Sequence, residues 1–292
     1  MDTIIETIEN NGVDYASMPI CIRIEDNRKT DVHIIIPTRG RGGFVRTILK
    51  SLYLIRSDYN FVITVVEHSH KKELNDITRT EGADYIHIPC LKDEPFNKCL
   101  CMNVGVFYGV HANVLLFHDS DLMVNHWFLD HVMKNIETKK TEAVQTFFNR
   151  RVLCCNSTLT QDIIDGEIEY VTGATYGVYE KDRTGEAPGG SIMISRRLFF
   201  MIGGFDPELW HSYSPEDLFF WDKMNLYTDV GTCDDPKNEV YHLDHPLQQN
   251  KNPDFKAMTY LYQTWNRLSM REKYRVCQYK RKLISKYDIK WL

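Results

Sequence analysis

The stretch NVLLFHDSDLMV, Asn113 to Val124, is apolar from Val114 to Phe117 and then delivers Asp119 and Asp121 with one residue between them. A short apolar run bounded by turn residues reads as a strand buried on both faces. Asp is a common turn former, so the pair taken alone is equally well a solvated strand end. The segments around it decide between the two. Upstream, DVHIIIPTRGRGGFVRTILKSLYLI reads as buried strand, Gly-rich turn and amphipathic helix. FVITVVEHS is a second strand, followed by the helix HKKELNDITRTEG that ends at Gly82. DYIHIP is a third strand, FNKCLCMNVGVFYGV a helix, and NVLLFHD the fourth strand. Strands alternating with helices predict a mainly parallel sheet with helices on both faces.

Past residue 121 the rhythm changes. A helix is expected near 126–138, a strand at AVQTFF, and a long polar loop from about 150 to 188 that includes Tyr176, Tyr179 and Arg183. GGSIMISRRLFFMIGGF reads as strand, helix and turn, PEDLFFWDKMNLY as a helix, and EVYHLDHP as a short strand ending in two histidines. A final amphipathic helix begins near residue 254. No Pro-, Gly- or Ser-rich linker marks a boundary, so a single domain is expected.

The 292 residues suffice for a full core, and the net charge of −5 argues against a protein that is basic all over and binds nucleic acid. The tail MREKYRVCQYKRKLISKYDIKWL is basic and reads first as the solvated face of a helix, second as a peripheral membrane or partner contact. The N-terminus carries charges throughout and has neither a signal peptide nor an anchor pattern. The eight cysteines lack structural-zinc spacing and read as free thiols of a reducing compartment. The chain is therefore expected to be soluble and cytoplasmic, with the sequon at Asn156 unmodified.

In open α/β sheets, ligands bind beyond the carboxyl ends of the strands. That rule collects four clusters on one rim: Pro37-Thr38-Arg39-Gly40-Arg41, Glu67-His68, the helix start Phe96-Asn97-Lys98, and Asp119-Ser120-Asp121. Two arginines, a lysine and a helix N-terminus suit an anion such as a diphosphate. Two carboxylates suit a hard divalent cation that neutralises it. Each cluster alone is an ordinary charged surface loop; their convergence points to a metal–nucleotide site.

At these residues the sequence resembles the β-1,4-galactosyltransferases and the bacterial chondroitin-polymerase-type transferases. IIIPTRGR is similar to their strand-one signature, and FNKCLCMNVGV followed by LLFHDSDLMV to the next two. GGSIMISRRLFFMIGGFDPELWHSYSPEDLFFW is similar to their acceptor segment. The likeness runs in order over about residues 31 to 246. It implies a single-domain GT-A (Rossmann-like) α/β fold with a mixed, mainly parallel central sheet. It also implies an inverting glycosyltransferase using Mn²⁺, or Mg²⁺, and a nucleotide-sugar donor, expected to be a UDP-sugar.

On this resemblance residues 1–30 form an N-terminal extension and 31–250 the transferase domain. Within it, 31–124 is the nucleotide half and 125–250 the acceptor half; 251–292 is a basic amphipathic helix. Pro37, Thr38, Arg39, Arg41, Glu67, Lys98, Asp119, Ser120 and Gly190 are the expected donor contacts, with Lys98 standing where the family usually has Arg. Asp121 is the expected metal ligand, joined by His242 first and His245 second, with Asp119 in reserve. Asp217 is the expected general base, Glu216 holds the glycan acceptor, and Trp210 and Tyr213 either stack on a sugar or pack in the core. The family's Gly-Trp-Gly-Gly loop is not kept: Ser214-Pro215 replaces two glycines. Two other readings stand beside this one, a nucleotidyltransferase of related sheet topology and a non-catalytic carbohydrate- or nucleotide-binding module.

Overall fold

The alternation expected for the first 121 residues forms one half of a central sheet. The structure, a computed structural model, describes residues 1–24, 29–148, 152–180, 189–246 and 252–288; Arg183 lies outside the described residues. The chain opens with α1 (Asp2–Asn10), β1 (Cys21–Arg23), β2 (Val32–Thr38), α2 (Gly42–Tyr53), β3 (Phe61–Ser69), α3 (Asn75–Thr80), β4 (Asp84–Pro89), α4 (Lys98–Tyr108) and β5 (Val114–His118). It continues with β6 (Leu122–Val124), α5 (Phe128–Lys139), β7 (Ala143–Phe148), β8 (Leu153–Cys155), α6 (Ser157–Asp165), β9 (Val178–Glu180), β10 (Ser191–Ser195) and α7 (Arg196–Met201). The last elements are α8 (Glu216–Asn225), β11 (Gly231–Cys233), β12 (Val240–His242), α9 (Phe255–Arg267) and α10 (Met270–Ile284).

Eight strands lie in the order β1-β4-β3-β2-β5-β10-β7-β11, with β4, β3, β2 and β5 mutually parallel and β10 antiparallel to both its neighbours. β2 shows why this sheet forms. All seven residues are buried, and its β-branched side chains alternate: Val32, Ile34 and Ile36 enter one core, Ile35 the other. Each such side chain removed from water contributes about 1.5–3 kcal/mol. α4 lies close against this strand because Gly105 carries no Cβ; one placed there would meet Ile35 Cγ2 at 2.5 Å.

A second, four-stranded sheet, β6-β12-β8-β9, sits beside the first. Its short strands fall partly within the segment read from sequence as a long polar loop. β8, α6 and β9 occupy that segment, α6 capped by the Asn156 side chain, which accepts from the Leu159 N–H at 2.8 Å. The segment therefore holds local order that its polarity concealed. Tyr176 and Tyr179 lie exposed within it.

The single C-terminal helix expected from sequence is two, α9 and α10. They are divided at Leu268, and α10 is started by a capping box between Ser269 and Glu272. α10 buries Val276, Cys277, Lys280 and Ile284. Lys280 donates to Glu208 at 2.7 Å, and Lys223 of α8 donates to Asp206 at 2.5 Å, so two buried lysines are each matched by a carboxylate. The extension at the N-terminus also packs: Ile4 and Ile8 of α1 and Tyr15 belong to the core that holds α10. No disulfide joins any of the eight cysteines, and no helix among the described residues is long and apolar enough to cross a membrane.

Candidate active site

β2 ends at Thr38 and the chain turns sharply, with Gly40 (φ +62°) and Arg41 (φ +58°) both left-handed before α2 begins. Glycine takes that conformation freely, whereas Arg41 holds it against its own Cβ. The turn sends Arg39 and Arg41 apart. Arg39 donates Nε to the His68 carbonyl at 2.6 Å, Nη1 to the Glu94 carbonyl at 2.5 Å and Nη2 to His68 Nδ1 at 3.2 Å. Burial and the charge of Arg39 push the His68 pKa down to about 4, so its ring is neutral. That agrees with Nδ1 also accepting the Asn97 N–H at 3.2 Å.

Glu67 and His68, placed together on this rim from sequence, part here. Side chains alternate along β3, and Glu67 points to the opposite face of the sheet from His68. It is fully buried, accepting from the N–H groups of Glu73 and Leu74 and from the Tyr85 hydroxyl. Glu67 organises the approach to α3 and does not line the cleft.

Beyond β5 the two aspartates part. Asp119 is fixed by its N–H donating to the Gly190 carbonyl at 2.7 Å, and its carboxylate lies 3.0 Å from Lys98 Nζ. Asp121 turns the other way, 3.1 Å from Arg41 Nη1 and 3.0 Å from His245 Nε2. Antiparallel pairing of β12 with β6 sets His242 opposite Leu122, and Leu243 donates its N–H to the Asp121 carbonyl at 2.9 Å. Asp121, His242 and His245 can each aim one ligand atom such that all lie within 4.8 Å of one another. Burial alone would raise the Asp121 pKa, but the His245 hydrogen bond and the charges of His242, His245 and Arg41 take it down to about 2. An ionised carboxylate with two imidazoles is a donor set able to hold a divalent transition-metal cation, Mn²⁺ through its carboxylate among them. The choice between His242 and His245 thus does not arise, because the fold brings both to Asp121. Asp119, kept in reserve as a ligand, faces Lys98 instead.

Lys98 opens α4, and its ammonium is the hub of the other half. It lies 3.2 Å from Asp217 Oδ1 and 3.9 Å from Glu216 Oε1 in addition to its contact with Asp119. Burial works against its charge, yet Asp119, Asp217 and Glu216 together raise its pKa well above the ordinary value. Glu216 and Asp217 form the first turn of α8, where the helix dipole favours negative charge. Burial, helped by the Asp217 charge, pushes the Glu216 pKa up to about 8; Ser214 donates to its Oε2 at 2.9 Å. Burial and the charges of Asp121 and Asp217 likewise push Asp119 to about 7 against the pull of Lys98.

The Glu216 shift has a sign that can be checked. A carboxyl whose pKa is raised by folding is neutral in both states below its unfolded value, and it destabilises the fold above its folded value. Glu216→Gln is therefore expected to stabilise the metal-free protein by on the order of a few kcal/mol at about pH 9, and hardly at all at about pH 4. Urea denaturation at the two pH values reads this, and equal midpoint shifts at both would refute it.

Gly189 and Gly190 lead into β10. A Cβ on Gly189 would stand 1.9 Å from Asp217 Oδ2, so the backbone passes against the carboxylate. Gly190 is left-handed (φ +89°) beside Leu122 and Phe147. Gly189→Ala is expected to displace Asp217 from Lys98 and destabilise the protein by about 1–3 kcal/mol, measured by urea denaturation. Wild-type stability with Asp217 in place would contradict it.

These groups share one cleft of about 690 Å³ at the carboxyl ends of β2 and β5. Pro37, Thr38, Arg39, Arg41, Lys98, Asp119, Ser120, Asp121, Gly190, Tyr213, Glu216, Asp217, His242 and His245 all line it. Trp210 does not. It is buried in the core, its ring 5.2 Å from that of Phe219. The sugar-stacking alternative for Trp210 is therefore withdrawn. Asn252 also lines the cleft. It escaped sequence reasoning because it falls in a polar stretch outside the motifs.

No family model matches the chain, and a search of curated proteins returns no match. Among solved structures, S. aureus TarS is similar with a TM-score of 0.52 and 17% identity over 83% of this chain and 41% of that one. The 1–349 portion of S. aureus TarS in complex with UDP-GlcNAc is similar with a TM-score of 0.53 and 15% identity, over 83% of this chain and 69% of that one. The chain thus spans less than half the length of the full TarS structure. At such identities the likeness shows the fold, which is the GT-A glycosyltransferase fold expected from sequence.

Proposed function

We propose that this protein is a metal-dependent, inverting glycosyltransferase that moves a sugar from a nucleotide-sugar donor, a UDP-sugar by preference, to a hydroxyl of a glycan acceptor. One observation carries this reading. A single cleft on a GT-A sheet brings the Asp121–His242–His245 group and the Glu216–Asp217 pair together, with Lys98 between the two halves. The UDP-GlcNAc bound in the TarS structure supports a UDP-sugar as donor. In this reading residues 31–124 serve the nucleotide and 125–250 the acceptor.

Glycosyl transfer passes through an oxocarbenium-like state while negative charge grows on the departing diphosphate. Asp121, His242 and His245 would hold a divalent cation, which when bound would supply Lewis-acid stabilisation of that leaving group. Lys98 and Arg41 add positive charge on the same side, and Lys98 is prepaid: the carboxylates that hold it already fix its ammonium in place. Asp217 accepts the proton of the attacking hydroxyl, a contribution of about 10²–10⁴-fold. Glu216, protonated near neutral pH, donates a hydrogen bond to the acceptor. One carboxylate acting on the incoming hydroxyl suits a single displacement, hence inversion.

The test is a screen of purified protein against UDP- and GDP-sugars, with Mn²⁺ and with EDTA. Metal-dependent release of nucleoside diphosphate from one donor is expected. Release of pyrophosphate would favour a nucleotidyltransferase, and binding without turnover a carbohydrate- or nucleotide-binding module. Failure to bind any nucleotide with or without metal would remove the proposal.

A further inference from the structure

Tyr213 lines the cleft together with Glu216 and Asp217, and the ring of Phe255 stands against it. Tyr213 is 41% exposed and Phe255, the first residue of α9, is 38% exposed; their centroids are 5.7 Å apart with the planes inclined by 33°. Leu218, one residue past the proposed base, lines the cleft beside Tyr213 and is 40% exposed. Apolar side chains of this size, grouped beside a polar cleft, cost hydration unless something covers them.

The backbone beneath Tyr213 is held unusually firmly. Ser212 is left-handed (φ +52°), a conformation costly to a residue with a Cβ, and its N–H donates to the Phe96 carbonyl at 2.6 Å. Asn252, itself 8% exposed, donates Nδ2 to the Tyr213 carbonyl at 2.7 Å and to the His211 carbonyl at 3.3 Å. Its Oδ1 accepts the Asp254 N–H at 2.9 Å, immediately before Phe255. One amide therefore fixes both arms of the aromatic pair, the loop that carries Tyr213 and the start of the helix that carries Phe255. Strained backbone maintained by several hydrogen bonds, together with rings fixed in advance, is what pre-organised recognition requires.

Resting on the glycosyltransferase reading, we infer that Phe255 joins Tyr213 in a platform on which a sugar ring of the glycan acceptor stacks. A pyranose offers one face of C–H groups to an aromatic ring and keeps its hydroxyls at the rim. That arrangement matches apolar rings at the cleft and the polar Ser214, Asn252 and Glu216 around them. Asn252 is a positioning residue for this platform. The C-terminal segment, read from sequence as a solvated or membrane-facing extension, thereby supplies part of the acceptor site.

The experiment is saturation-transfer NMR on the full chain with UDP and Mn²⁺ present. The probes are the methyl β-glycosides of glucose, galactose, N-acetylglucosamine and xylose. At least one probe is expected to receive saturation on the C–H protons of one ring face. Phe255→Leu, which keeps an apolar side chain but loses the ring, is expected to weaken that binding about tenfold, while Phe255→Tyr stays within about twofold. Equal affinity for wild type and Phe255→Leu would overturn the platform, and so would four silent probes in samples that bind UDP. UDP titration of the same samples separates the two readings. Glycoside binding that depends on Phe255 without UDP binding would sink the proposed function and leave the platform standing.

Discussion

Asp217→Asn is expected to lower kcat for sugar transfer by about 10²–10⁴-fold while Mn²⁺ and UDP still bind. The substitution keeps the shape of the side chain and removes its ability to take a proton. Gly189, with no Cβ, leaves the room this side chain occupies, and Asn is of the same size. Asp217 also holds Lys98, at 3.2 Å, so its neutralisation shifts the ammonium toward Asp119. A modest change in donor affinity can follow from that shift. A loss confined to affinity, with kcat intact, would mean that Asp217 positions Lys98 and that another group takes the proton. A fully active variant would remove Asp217 as the base altogether. Single-turnover rates beside calorimetric UDP titrations separate these outcomes.

Asp121→Ala is the second large effect expected. It should abolish stoichiometric Mn²⁺ binding and lower transfer by about 10³-fold, since Lewis-acid stabilisation of the leaving group is worth several kcal/mol. His242→Ala and His245→Ala, each removing one of three ligands, should weaken the metal without abolishing it. Mn²⁺ titration followed by electron paramagnetic resonance gives the affinity directly. Wild-type Mn²⁺ affinity in Asp121→Ala, or unchanged turnover in EDTA, would dismiss the site. Because Asp121 also meets Arg41 and His245, circular dichroism must accompany the titration to separate lost metal from lost fold.

Much of the nucleotide half could be read along the chain because its signals are local. The run Val32 to Thr38 alternates its β-branched side chains between two cores, and the left-handed turn at Gly40 follows at once. Glu216 and Asp217 were singled out by the resemblance and not by a local pattern, and they lie in the first turn of α8. Local patterns failed where one residue decided between two faces. Glu67 and His68 are adjacent, both were placed on the rim, and the pleat of β3 sends only His68 toward Arg39 and the Asn97 N–H. Trp210 was left open between sugar contact and core, and the structure packs it in the core against Phe219.

By itself, then, the sequence determined the strand–helix alternation, the buried central strands, and the residue types available at each strand end. Hydrophobic periodicity and turn chemistry act within a few residues and so can be read there. The tertiary structure alone decided which of those residues meet. Lys98 reaches Asp217 across 119 positions in the chain, and His242 comes beside Asp121 through the pairing of β6 with β12, strands of three residues each. The amide of Asn252 ties the 211–213 loop to α9. Such contacts depend on the balance of burial and electrostatics over the whole fold, and no local pattern encodes that balance.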